Sequence, residues 1–98
     1  MKAIETMATL RHHLDELRRF GVRKIGLFGS TARDEAQPDS DIDILVEFEP
    51  GHKSFDNLMD LRFRLEELFP GQRIDLVLQN ALKPMIRASV ESSVRYVA

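Results

Sequence analysis

The sequence predicts an α/β (α+β) domain, a small mixed sheet flanked by helices. Three observations carry this expectation. Apolar stripes at helical spacing open the chain and recur in its middle, short apolar runs of strand length lie between them, and glycine or proline punctuates the boundaries. Strands separated by helices bury their apolar residues by packing those helices against a shared sheet.

Ile4, Met7, Leu10, Leu14 and Leu17 recur at helical spacing, with Gly21 as the stop. Lys24 to Phe28 reads as a buried strand that ends in a turn at Gly29. Thr31 to Ala36 reads as a short helix, broken by Pro38, Asp39 and Ser40. Asp41 to Phe48 is a strand with an acidic entrance. Leu58, Leu61, Leu65 and Leu68 form a second helical stripe, extended by Phe55 and Met59 and ended by Pro70-Gly71. Ile74 to Leu78 is a further apolar strand interrupted by Asp75. Leu82 to Ser92 reads as a third helix, with Pro84 allowed in its first turn and Ile86 and Val90 pointing inward. Val94 to Val97 fits a short final strand and a continuation of that helix equally well.

Ninety-eight residues make one domain, 1–98, whose core is adequate but not generous. Hydrophobic residues at 43% and charged residues at 31% describe a globular chain. A net charge of −2 argues against nonspecific nucleic-acid binding, which relies on a basic surface. The absence of cysteine excludes disulfides and thiolate-bound zinc. With no apolar run of membrane-spanning length and no signal pattern at Met1-Lys2-Ala3-Ile4, the expected compartment is the cytoplasm.

The chemistry is concentrated in residues 29 to 43, GSTARDEAQPDSDID, and in Asp75. Gly29 lacks a Cβ, so backbone can approach a phosphate closely. Ser30 adds a hydroxyl. The N-terminus of the following helix favours an anion, and Arg33, one turn in, offers a planar fork of donors. Asp41 and Asp43 are two apart on a strand and share one face, while Ile42, Ile44 and Val46 share the other. Two adjacent carboxylates repel unless a cation lies between them, and Mg²⁺ is usually held by one or two carboxylates plus substrate phosphates. If the Ile74 strand lies beside the first, Asp75 completes a three-carboxylate cluster that ligates metal or takes a proton from an attacking hydroxyl. Singly, each feature is ordinary: a turn, a solvated strand edge, an exposed helix charge. Their order, and the apolar runs on both sides, make the case.

That order resembles the signature of the nucleotidyltransferase superfamily typified by DNA polymerase β, and most closely its minimal nucleotidyltransferases (MNT), from about Ile25 to Leu78. The resemblance implies a polymerase-β-like palm. It implies that Gly29 and Ser30 hold a nucleoside triphosphate, that Asp41 and Asp43 bind Mg²⁺, and that Asp75 completes the metal site and assists the incoming hydroxyl. Arg33 matches a basic residue common after the turn. The resemblance further implies a partner, a HEPN-domain RNase toxin. Toward it the MNT protein acts as antitoxin of a type VII-like pair, transferring AMP from ATP to a tyrosine.

The residues themselves leave other readings open. One is an antitoxin that acts by binding and occlusion alone. Another is a nucleotidyltransferase for a small hydroxylated molecule. The intact aspartate set favours transfer, and the short chain counts against a small-molecule acceptor, which needs an additional wall. A chain this short holds a triphosphate and metals but offers little surface to grip a large acceptor, so the acceptor must bring its own.

Overall fold

The computed structural model describes residues 2–35 and 40–98. The expected fold class holds: a four-stranded mixed sheet with helices against it. In chain order the elements are α1 (Ala3–His12), α2 (Leu14–Arg19), β1 (Val22–Leu27), α3 (Gly29–Ala32), β2 (Ile42–Phe48), α4 (Phe55–Leu68), β3 (Ile74–Leu78), a 3-10 turn at Gln79–Ala81, α5 (Pro84–Ser93) and β4 (Arg95–Tyr96). The strand order is β3-β2-β1-β4. β1 runs antiparallel to both β2 and β4, whereas β2 and β3 are parallel, joined by α4 as a crossover.

One face of the sheet is sealed. Ile25, Leu27, Ile42, Ile44, Val46 and Ile74 meet Met7, Leu10, Leu17, Leu61, Leu65 and Phe69 in a continuous core. The opening helical stripe lies one residue away from its expected register at its start. Ala3, Thr6, Met7 and Leu10 are the inward set, spaced i, i+3, i+4, i+7, and Ile4 is 69% exposed. The helix also breaks at His13, so α2 begins a new segment. Its Glu16 takes Arg64 of α4 in a two-pronged ion pair that holds the Glu16 carboxyl below its ordinary value, chiefly through the hydrogen bond from Arg64. Ser54 caps α4, accepting the Asn57 N–H at 3.1 Å. Phe55 does not extend the apolar face of α4: it sits in the first turn, ahead of the buried Leu61 and Leu65, and is exposed.

The other face is covered lightly. Residues 43, 45 and 47 of β2 point this way, and Leu45 is buried here outside the main core. α5 lies over this side, where its Arg87 and Glu91 share a polar cavity of about 200 Å³ with Glu47, Gln79 and Asn80. The expectation that Ile86 points inward fails. α5 has no buried residue, Ile86 is exposed, Val90 only half-buried, and Met85 is 92% exposed. The helix has the right periodicity, yet none of its own side chains is buried. The final segment, which the sequence left open, is a strand: Arg95 and Tyr96 pair with Leu27 and Gly26. Among the described residues no helix is long and apolar enough to cross a membrane.

Candidate functional site

The site forms where β1 ends. Phe28 is extended, and its N–H bonds to Asp43 O at 3.1 Å, tying the end of β1 to the start of β2. Gly29 then turns the chain with φ +58°. A Cβ on Gly29 would stand 2.9 Å from Asp43 Oδ2, so this position requires glycine for both conformation and space. α3 follows as a single turn over Gly29–Ala32, shorter than the expected helix. Ala36, the expected end of that helix, and Pro38 and Asp39, the expected breakers, lie outside the described residues. Asp34 adopts φ +58° just beyond α3, and its Oδ1 accepts the Ala3 N–H at 2.6 Å, capping α1.

The parallel register of β2 and β3 places Asp43 opposite Asp75, with Ile42 opposite Ile74 and Ile44 opposite Leu76. Partners in a parallel ladder face the same side, with strands about 4.8 Å apart, so the two carboxylates share one face at the mouth of the sheet. Asp43 is half-buried. Burial pushes its carboxyl above the ordinary value, the charge of Asp75 adds to the rise, and hydrogen bonds from Ser30 and Thr31 oppose it. Ser30 Oγ and Thr31 Oγ1 each donate to Asp43 Oδ2 at 3.4 Å, and the Asp43 N–H donates to Thr31 Oγ1 at 3.0 Å.

Four of the expected site residues therefore converge: Gly29, Ser30, Asp43 and Asp75. Asp41 stands one residue before β2, and its Oδ1 pairs with Arg73 Nε at 3.2 Å. Arg33 turns aside to Glu35, with Nε to Oε2 at 3.1 Å. Among the described residues no three acidic or histidine side chains gather closely enough to hold a metal. The donor set nonetheless suits the Mg²⁺ that the resemblance implies. Asp43 and Asp75 offer hard carboxylate oxygens and carry repulsion that a cation removes. Asp41 is held through Oδ1 by the exposed Arg73.

Sequence reasoning missed two contributors. Thr31 lies directly after the Gly-Ser pair, and its neighbourhood was the available signal. Arg73 precedes Ile74-Asp75, so the parallel register that sets Ile42 against Ile74 also sets Arg73 beside Asp41, where Ile42 N bonds to Arg73 O at 2.8 Å.

A family model described as the nucleotidyltransferase domain matches residues 10–97. A Thermococcus cleftensis protein named protein adenylyltransferase MntA is 47% identical over 98 residues, covering 99% of this chain and 95% of its own. A Methanocaldococcus jannaschii protein, provisionally named a protein adenylyltransferase, is 42% identical over 102 residues, covering 99% of this chain and all of its own. Among solved structures, one provisionally described as a minimal nucleotidyltransferase superposes with a TM-score of 0.80 at 36% identity, over 97% of this chain and 95% of its own. A toxin–antitoxin crystal structure with AMP-PNP shares the fold, with a TM-score of 0.70 at 21% identity over 90% of this chain and 72% of its own.

Proposed function

The chain belongs to the nucleotidyltransferase domain family, and from that premise we propose that it transfers AMP from ATP to a hydroxyl of a partner protein, with Mg²⁺. The acceptor is a tyrosine of a cognate HEPN-type RNase toxin, and the modification silences the toxin. The observation that carries the reading is the in-register pairing of Asp43 with Asp75 against the Gly29-Ser30 turn. The names of the relatives support the choice of acceptor, since they are called protein adenylyltransferases. The toxin–antitoxin structures of the same fold support the choice of partner.

In this reading Gly29 and Ser30 hold the triphosphate by close backbone approach and a hydroxyl donor. Asp41, Asp43 and Asp75 are the residues that would hold Mg²⁺. When bound there, the ion would supply neutralisation of the phosphate charge. The acceptor oxygen attacks the α-phosphorus, a P–O bond to the acceptor forms, and the bond to pyrophosphate breaks. Asp75, exposed at the edge strand, receives the hydroxyl proton. Arg33, released from Glu35, reaches the phosphates.

The test is intact-mass measurement of the purified pair with ATP and Mg²⁺. The expected result is one or more adenylyl groups on the partner and little on this chain alone. Occlusion without chemistry remains the second reading, favoured by the exposed Met85 and Ile86 on α5. An Asp43→Asn form that binds the partner, leaves it unmodified and still neutralises it would establish that reading instead.

A further inference from the structure

Thr31 stands apart from the other threonines of the chain. Thr6 and Thr9 turn their hydroxyls onto their own helix, to Lys2 O and Glu5 O, each at 3.2 Å. This is the usual back-bond of a helical threonine. Thr31 instead uses its hydroxyl on a residue of another strand. Its Oγ1 accepts the Asp43 N–H at 3.0 Å and donates to Asp43 Oδ2 at 3.4 Å. The residue is 3% exposed, so water scarcely competes for either bond.

The two bonds close a ring through the Asp43 side chain. The shorter fixes the backbone from which the side chain springs, and the longer, a weak bond, steers its outer end. Ser30 reaches the same Oδ2, and the bare face of Gly29 lies against it. Apart from the bond at the Asp43 N–H, these constraints fall on one oxygen, Oδ2. Both hydroxyls meet Oδ2, and neither is placed on Asp43 Oδ1.

We propose that Thr31 is a positioning residue: it clamps Asp43 at backbone and carboxylate, so that Oδ1 is the oxygen offered to a divalent cation. The inference rests on the nucleotidyl-transfer reading above. Its physical basis is pre-organisation. A carboxylate already held in one rotamer loses less freedom when a cation binds, and outer partners that orient a ligand are commonly worth about 10–100-fold in metal affinity.

The experiment uses Mn²⁺ as a spin-active probe in the presence of AMP-PNP, with affinity read by electron paramagnetic resonance and folding by circular dichroism. Thr31→Val keeps the shape and removes both bonds. It should weaken Mn²⁺ binding about tenfold or more, and saturating Mn²⁺ should restore much of kcat. Thr31→Ser keeps the hydroxyl and should stay within about threefold of the parent, well inside the range expected for a lost outer partner. Should Thr31→Val fail to fold with the Asp43 N–H left unpaired, Thr31→Cys takes its place, because its thiol is similar in size but a weak hydrogen-bonding group. Unchanged Mn²⁺ affinity in the folded valine or cysteine form overturns the inference. So does a serine form as weak as the valine form, since the hydroxyl would then not be the agent. Failure of the parent protein to bind Mn²⁺ with AMP-PNP would instead sink the transfer reading, and this inference with it.

Discussion

The two faces of the sheet differ in what holds them. The face of Ile42, Ile44 and Val46 is closed by α1, α2 and α4, with Leu10, Leu17, Leu61 and Leu65 buried against it. Among the described residues the face of Asp43, Leu45 and Glu47 is covered by the one-turn α3 and by α5; Leu45 is buried there, but α5 itself has no buried residue. Because β2 alternates sides, a single strand supplies both the core and the candidate chemistry. Stability and reactivity can then be altered nearly independently. The sealed face stores folding energy, while the open face keeps an acidic pair that works against folding by self-repulsion.

The sharpest break in that comparison comes from Asp43→Asn. Nucleotidyl transfer should fall on the order of a thousandfold, as for loss of a key charge-stabilising group. The melting temperature should hold or rise, because one member of the repelling pair is neutralised. Rates come from steady-state transfer and stability from thermal melts. Near-normal transfer would remove Asp43 from the site.

On the sealed face, Leu65→Ala should do the reverse. A fully buried leucine cut to alanine costs about 2–5 kcal/mol, measured by urea unfolding. The surviving folded fraction should bind AMP-PNP with Mg²⁺ as the parent does. A selective loss of nucleotide binding would show that the faces are coupled.

Gly29→Ala acts where the faces meet. Left-handed backbone costs a non-glycine residue about 1–2 kcal/mol, and the new methyl crowds Asp43 Oδ2. Stability should drop modestly in urea, and the thermal stabilisation given by AMP-PNP with Mg²⁺ should vanish. Retention of that stabilisation would dissociate the turn from the triphosphate.

A smaller effect belongs to the Glu16–Arg64 pair. The Glu16 carboxyl is held below its ordinary 4.5 in the folded protein. The pair therefore contributes fully above the unfolded value and loses its contribution as pH falls through the folded one. The stability gap between parent and Glu16→Gln should close in acid. A gap independent of pH would mean that packing rather than charge is at stake. Smallest of all, Met85→Ala on α5 should change stability by no more than about 0.5 kcal/mol. A larger loss would mean that the open face is held more firmly than its exposure indicates.

Much of this was legible in the residues. The alternation of Asp41, Asp43 and the isoleucines announced a strand with one acidic face, and the glycine at 29 announced a turn with room for close backbone approach. Both follow from local geometry, with period two in one case and positive φ in the other. The register of α1 was not legible. Ala3 and Thr6 are small or polar, and Ile4 drew the stripe one residue off, because a hydropathy pattern records side-chain character and not which way the helix axis rolls on its sheet. The open face of α5 was hidden for a related reason: periodicity reveals an apolar stripe but not whether anything lies opposite it.

Residues close together in the chain suffice for the alternation of helices and strands, the glycine turn and the acidic strand. Three features waited on contacts between distant segments, which folding supplied. It made the last residues a strand, by giving Gly26 and Leu27 a free edge to pair with. It set Asp43 against Asp75 across a parallel ladder. It turned Thr31 onto Asp43 and Asp41 onto Arg73. Each of these joins segments distant in sequence, and the choice among such pairings is made by the burial of a shared face rather than by any local preference.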